Sequence, residues 1–120
     1  MRLLPTIHSH LGYFLVVIAL VFSAVEIVAR DQEDKKTRKV FRGILVGLLD
    51  LQAVLGLVIL FFPAGAERLA LHPLLMIAGI VFFHAGSKSS SETAGRSRPK
   101  LYATGTAFFL AGLWCAVKGL

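Results

Sequence analysis

Residues 11–29 read LGYFLVVIALVFSAVEIVA, a run whose single charged side chain is Glu26. A helix needs roughly 20 apolar residues to cross a hydrocarbon core about 30 Å thick, and this run supplies them. Three further long apolar runs follow, with the charged residues gathered into short blocks between them. The spans are predicted at about 7–29, 41–62, 67–86 and 100–120. The expected fold class is therefore an all-α integral membrane protein, a single domain over 1–120 that forms an antiparallel bundle of four transmembrane helices.

Composition agrees with that reading. Of 120 residues, 56% are hydrophobic and 17% charged, more apolar surface than a soluble domain of this size can hide. The formal net charge of +6 does not indicate nucleic acid, because the basic residues flank the spans and are not interleaved with exposed aromatics. Cys115 is the one cysteine and lies inside the last apolar run, which excludes an intramolecular disulfide or a CxxC redox pair and makes packing its expected role. The first apolar run lacks a small-x-small cleavage signature, so it is expected to stay attached as a span.

Charge also orients the bundle. Arg30, Lys35, Lys36, Arg38, Lys39 and Arg42 surround the first connection, and Lys88, Arg96, Arg98 and Lys100 the third, ten of the thirteen Lys and Arg residues. Only Arg2, Arg68 and Lys118 fall on the opposite side. Positive residues favour the cytoplasmic face, which places both termini on the non-cytoplasmic side. Pro63, Ala64 and Gly65 mark the end of span two, and the serine-rich stretch Ser87 to Pro99 reads as a loop. Gly43, Gly47, Gly79, Gly86, Gly105 and Gly112 are expected to let the helices approach one another closely.

Ionisable groups within hydrocarbon are costly, so each is a functional candidate: His8, His10, Glu26, Asp50, His72 and His84. His8, His10 and His72 fall toward the outer face, while Asp50, Gln52 and His84 lie deeper or toward the inner one. His8 and His10 are about 200° apart on a helix, so at most one faces the interior. His8 is favoured because Gly12, one turn deeper on the same face, leaves room for a large planar group, and Gly79 stands seven residues beyond His72 in a similar position. His72 and His84, about 18 Å apart in rise, cannot share one ion. Pro73 fits the first turns of span three, where a missing amide costs little.

Two neutral imidazoles on facing helices can hold a haem iron on both axial sides, and His8 with His72, on diagonal spans one and three, meet that requirement. The plainer alternative leaves both histidines solvated or hydrogen-bonded at the interface. A His8-Ser9-His10 copper chelate assisted by Met76 or Cys115 suits an extended segment better than a helix. Glu26 is explained by i,i+4 pairing with Arg30. Asp50 can accept a hydrogen bond from His84, as a structural pair or as part of a proton relay to a quinone, with Gln52 beside them in an inner polar site.

The ordered set His8-Ser9, Asp50-Leu51-Gln52 with Gly56, and His72-Pro73-Leu74-Leu75-Met76 with His84 resembles a family of small bacterial four-span membrane proteins labelled cytochrome b-like. More distantly it is similar to the four-helix modules of haem A synthase and of cytochrome b561-type bundles. The resemblance spans Thr6 to about Lys88 and implies a haem b held by His8 and His72, with electron transfer to quinones or other redox subunits in the bacterial cytoplasmic membrane. His10, outside the pattern, is the alternative ligand. The chain departs from the pattern at Gly12-Tyr13, where an Arg-aromatic pair is common in the family, leaving Arg2, Arg68 or water to meet a haem propionate. Two other functions stay open: a non-catalytic subunit or assembly factor of a larger respiratory or photosynthetic complex, able to bind partners or its own copies, and a small transporter using Asp50 and His84.

Overall fold

The computed structural model describes Leu3–Val28, Lys36–Phe61, Leu71–Lys88 and Glu92–Lys118, except for the side chains of residues 88 and 92–98. All four segments are α-helices, α1 to α4 in that order. Their described residues form a rod of 48 × 22 × 19 Å. Each helix packs on its two neighbours around a square, α1 on α2 and α4, α3 on α2 and α4, and the diagonal pairs stay apart among the described residues. The end of α1 meets the start of α2 at Glu26 and Arg42, and the end of α3 meets the start of α4 at Gly86 and Tyr102, so sequential helices run antiparallel.

Three helices, Leu3–Val28, Lys36–Phe61 and Pro99–Lys118, are long and apolar enough to cross a membrane. The described apolar part of α3, Leu71–Ser87, is shorter. At 1.5 Å per residue it spans about 26 Å, slightly less than a typical hydrocarbon core. The surface is lined with Val, Leu, Ile and Phe side chains, Val28 and Phe61 being 81% and 85% exposed, whereas Ser23, Glu26, Arg42 and Thr106 are buried. That inside-out distribution suits lipid, which accepts apolar side chains and leaves polar ones to find partners within the bundle.

The helix boundaries depart from expectation chiefly at α4. The stretch Ser87 to Pro99 is not all loop: α4 begins at Glu92, eight residues ahead of the predicted span, and carries Pro99 inside it. Hydropathy marks only the apolar portion of a helix, and the polar stretch Glu92–Arg98 carries no apolar signal. Pro99 forfeits one helical hydrogen bond, to the carbonyl of Gly95. Glu67 to Ala70 and Pro63 to Gly65 lie outside the described residues, so α3 is described from Leu71, and Pro73 is its third residue.

The core is aromatic. Tyr102 is fully buried between Phe22 and Phe83, with ring centres 5.1 and 5.0 Å away, and Phe83 packs on Phe109 at 5.2 Å. Backbones of α3 and α4 come closest at Gly79 and Gly105: a Cβ on either would lie 2.9 Å from the other's carbonyl oxygen. Ser23 ties α1 to α4 by bonding Thr106 Oγ1 at 2.7 Å and donating to the Tyr102 carbonyl at 3.1 Å. Gly43 and Gly47, by contrast, face open space, so they do not serve packing among the described residues.

Glu26 pairs across helices. Its Oε1 accepts from Arg42 Nη2 at 2.8 Å and lies 3.6 Å from Arg38 Nε, both on the first turns of α2. Arg30, expected as its i,i+4 partner, lies outside the described residues; among the described ones Glu26 pairs between helices with Arg42, and both side chains are nearly fully buried. Removing one partner of a buried pair strands the other's charge and costs about 3–5 kcal/mol, whereas removing both is far milder. Glu26→Leu is therefore expected to destabilise the bundle by about 3 kcal/mol, and Glu26→Leu with Arg42→Leu to regain most of that loss, as read by unfolding in increasing SDS.

Candidate functional site

At the end of the bundle formed by the start of α1, the end of α2 and the start of α3, the helices surround a cavity of about 350 Å³. His8 and His72 both line it. They come from diagonal helices, whose backbones do not touch, and their rings bridge the diagonal with centres 6.5 Å apart and planes at 87°. The remaining wall is mostly apolar, with Leu15, Met76, Ile80 and Phe109 at depth and the exposed Tyr13 and Val117 at the rim.

Each histidine is placed by a particular neighbour. His72 Nδ1 is 2.8 Å from the carbonyl oxygen of Gly112 on α4. A carbonyl only accepts, so Nδ1 carries the hydrogen and the neutral ring has its lone pair on Nε2. This is the arrangement by which proteins orient an imidazole for a metal. His8 rests against Gly56, where a Cβ would come within 3.0 Å of its Cε1. Gln52 Nε2 donates to the His8 carbonyl at 2.6 Å. His8 Nδ1 and Gln52 Oε1 are buried without a hydrogen-bond partner among the described residues, an uncommon state that a ligand would relieve.

The glycines are distributed differently from expectation. Gly12 does line the cavity, but its missing side chain admits the Gln52 amide, which would lie 2.7 Å from a Cβ there. Gly79 is not beside the cavity at all. It shares a helix face with His72, as the seven-residue spacing implies, but that face packs on α4, where the Phe109 ring fills the space. Gly56, not singled out as a site residue from the sequence, is the glycine that seats His8. Its signal was its place one turn after Gln52 on the same face of α2.

The inner polar group divides in two. His84 Nε2 is 2.7 Å from Asp50 Oδ1, so that pair forms, but Gln52 belongs to the histidine cavity instead. Two residues of helix turn Asp50 and Gln52 about 200° apart, onto different faces. Asp50 and His84 sit in the α2–α3 groove with side chains 48% and 39% exposed, and neither lines the cavity. His10 is exposed, its Nδ1 2.9 Å from the Thr6 carbonyl of its own helix.

Two imidazoles are fewer protein ligands than the four of a structural zinc site, and among the described residues no three His, Cys, Asp or Glu side chains gather. Haem iron takes just two axial ligands from the protein, the other four coming from the macrocycle. Arg2 and Arg68, the expected partners of haem propionates, lie outside the described residues.

The chain belongs to a family of unknown function, DUF7994, whose model matches residues 36–120. That match takes in Asp50, Gln52, Gly56, His72 and His84, and begins at the first residue of α2, after His8. No curated protein and no solved structure matches the chain.

Proposed function

We propose that this protein is a b-type cytochrome of the bacterial cytoplasmic membrane, crossing the bilayer four times with both termini on the outer side. It binds one haem b through His8 and His72 and exchanges electrons between quinone and a membrane redox partner. The observation that carries the reading is the pairing of these two rings, 64 residues apart in sequence, across one apolar cavity. Two imidazoles on opposite sides of one ion, each at a metal–nitrogen distance of about 2 Å, have ring centres roughly 6 Å apart. The 6.5 Å between His8 and His72 fits that span.

Haem supplies one-electron chemistry when bound, and the chain's own residues prepare its seat. Gly112 fixes the His72 tautomer, Gly56 and Gln52 hold α1 so that the His8 ring enters the cavity, and the apolar wall keeps water from the site. Tyr13 and Val117 at the exposed rim leave a side through which the edge of a flat macrocycle meets lipid. The ligand resemblance found in the sequence rests on the same residues. A transport role through Asp50 and His84 has less support, because both side chains face outward from the groove and not into a passage.

The purified protein is expected to show a sharp b-type band in its reduced-minus-oxidised spectrum. His72→Ala and His8→Ala each abolish it, and His84→Ala retains it. Absence of the band in the unaltered protein, or a low-spin spectrum surviving both ligand replacements, contradicts the proposal. Reporter fusions at each end of the chain should be active only on the outer side, and a cytoplasmic signal from either would reject the orientation.

A further inference from the structure

In α2, residues 43, 47, 50 and 54 recur at steps of four, three and four, which brings them onto one stripe of the helix. Gly43 and Gly47 on this stripe face open space, and Val54 is 55% exposed. Asp50 lies in the middle, hydrogen-bonded to His84 of α3 beside the exposed Val81. Eight residues separate Asp50 from the buried Arg42, so in a lipid-embedded bundle the pair sits about 12 Å further along the helix, within hydrocarbon. A polar pair that faces lipid at such a depth is costly unless something polar meets it there.

The chemistry of the pair indicates what that is. His84 Nε2 and Asp50 Oδ1 share one proton. Whichever atom holds it, a neutral pair keeps one further donor, the Nδ1–H of His84, and one further acceptor, Oδ2 of Asp50. A surface with one donor and one acceptor at the same depth is complementary to itself across a two-fold axis along the membrane normal. Two such pairs close into a ring in which each imidazole bridges two carboxyl groups and no donor or acceptor remains toward lipid. The open surface at Gly43 and Gly47 lets the two α2 helices come near enough for the ring to form.

We infer that the α2–α3 face binds a second copy of this chain, with the Asp50–His84 pair of each protomer closing against that of the other. The interface rests on the bundle lying in lipid and is independent of haem: it is on the groove side, away from the cavity of His8 and His72. A haem-free protein that still pairs this way refutes the cytochrome reading and leaves this one standing.

The test combines crosslinking in membranes with the mass of the particle in lipid nanodiscs. In a Cys115→Ala background, Val54→Cys is expected to link to its copy on oxidation, while Val21→Cys, on the exposed face of α1, stays single. Asp50→Leu with His84→Leu removes the interprotomer hydrogen bonds and is expected to raise the dimer dissociation constant about tenfold or more. Gly47→Leu, whose Cβ meets nothing within 4 Å among the described residues, is expected to weaken the dimer while leaving the protomer fold unchanged. A single-copy mass for the unaltered protein overturns the inference, as that result assigns the groove to a lipid-soluble molecule or a different protein. Equal crosslinking at both positions, or undiminished pairing in both the double variant and Gly47→Leu, overturns it as well.

Discussion

Helices apolar enough to cross a membrane offer their buried polar groups no water, and the buried polar side chains described here find their partners within the bundle. Glu26 finds Arg42 and Arg38, Ser23 finds Thr106 and the Tyr102 carbonyl, Gln52 finds the His8 carbonyl, and His72 finds Gly112. Each bond joins two helices. In hydrocarbon the apolar side chains gain little by meeting one another rather than lipid, so interhelical hydrogen bonds and close packing at glycine set which faces meet. The Ser23–Thr106 bond aligns α1 on α4, Gly79 and Gly105 bring α3 against α4, and the diagonal of the square is left to the two imidazoles.

That same constraint distinguishes the two polar clusters. The His8–His72 cluster faces inward, contains buried atoms without partners among the described residues, and is walled by apolar side chains, which is the character of a ligand site. The Asp50–His84 pair forms one internal hydrogen bond and stays partly exposed in the α2–α3 groove, which is the ground on which we infer a contact surface there. Asp50 and Gln52 stand only two positions apart, yet the helical turn assigns them to different clusters.

Much of the fold was legible in composition: residues 11–29 form part of a helix long and apolar enough to cross a membrane, and the four helices follow the four apolar runs. The first eight residues of α4 were not legible, since hydropathy is silent where a helix is polar. In the site, the diagonal placement of α1 and α3 brought His8 and His72 together as expected. What the sequence did not disclose was rotation. Whether Gly79 opens onto a cavity or onto Phe109, and whether Gln52 sides with Asp50 or with His8, depends on how each helix is turned, and glycine stripes occur on too many faces to decide it. For Glu26, local spacing offered Arg30, which lies outside the described residues, whereas the partner supplied by packing, Arg42, stands on another helix and carries no local signal.

The central claim is that His8 and His72 ligate one iron between them. It is tested most directly by paramagnetic resonance of the oxidised protein grown with ¹⁵N-histidine, where hyperfine coupling counts the imidazoles bound to the metal. The account predicts low-spin ferric haem coupled to two histidine nitrogens. A high-spin signal, a single coupled imidazole, or purified protein with no haem would contradict it.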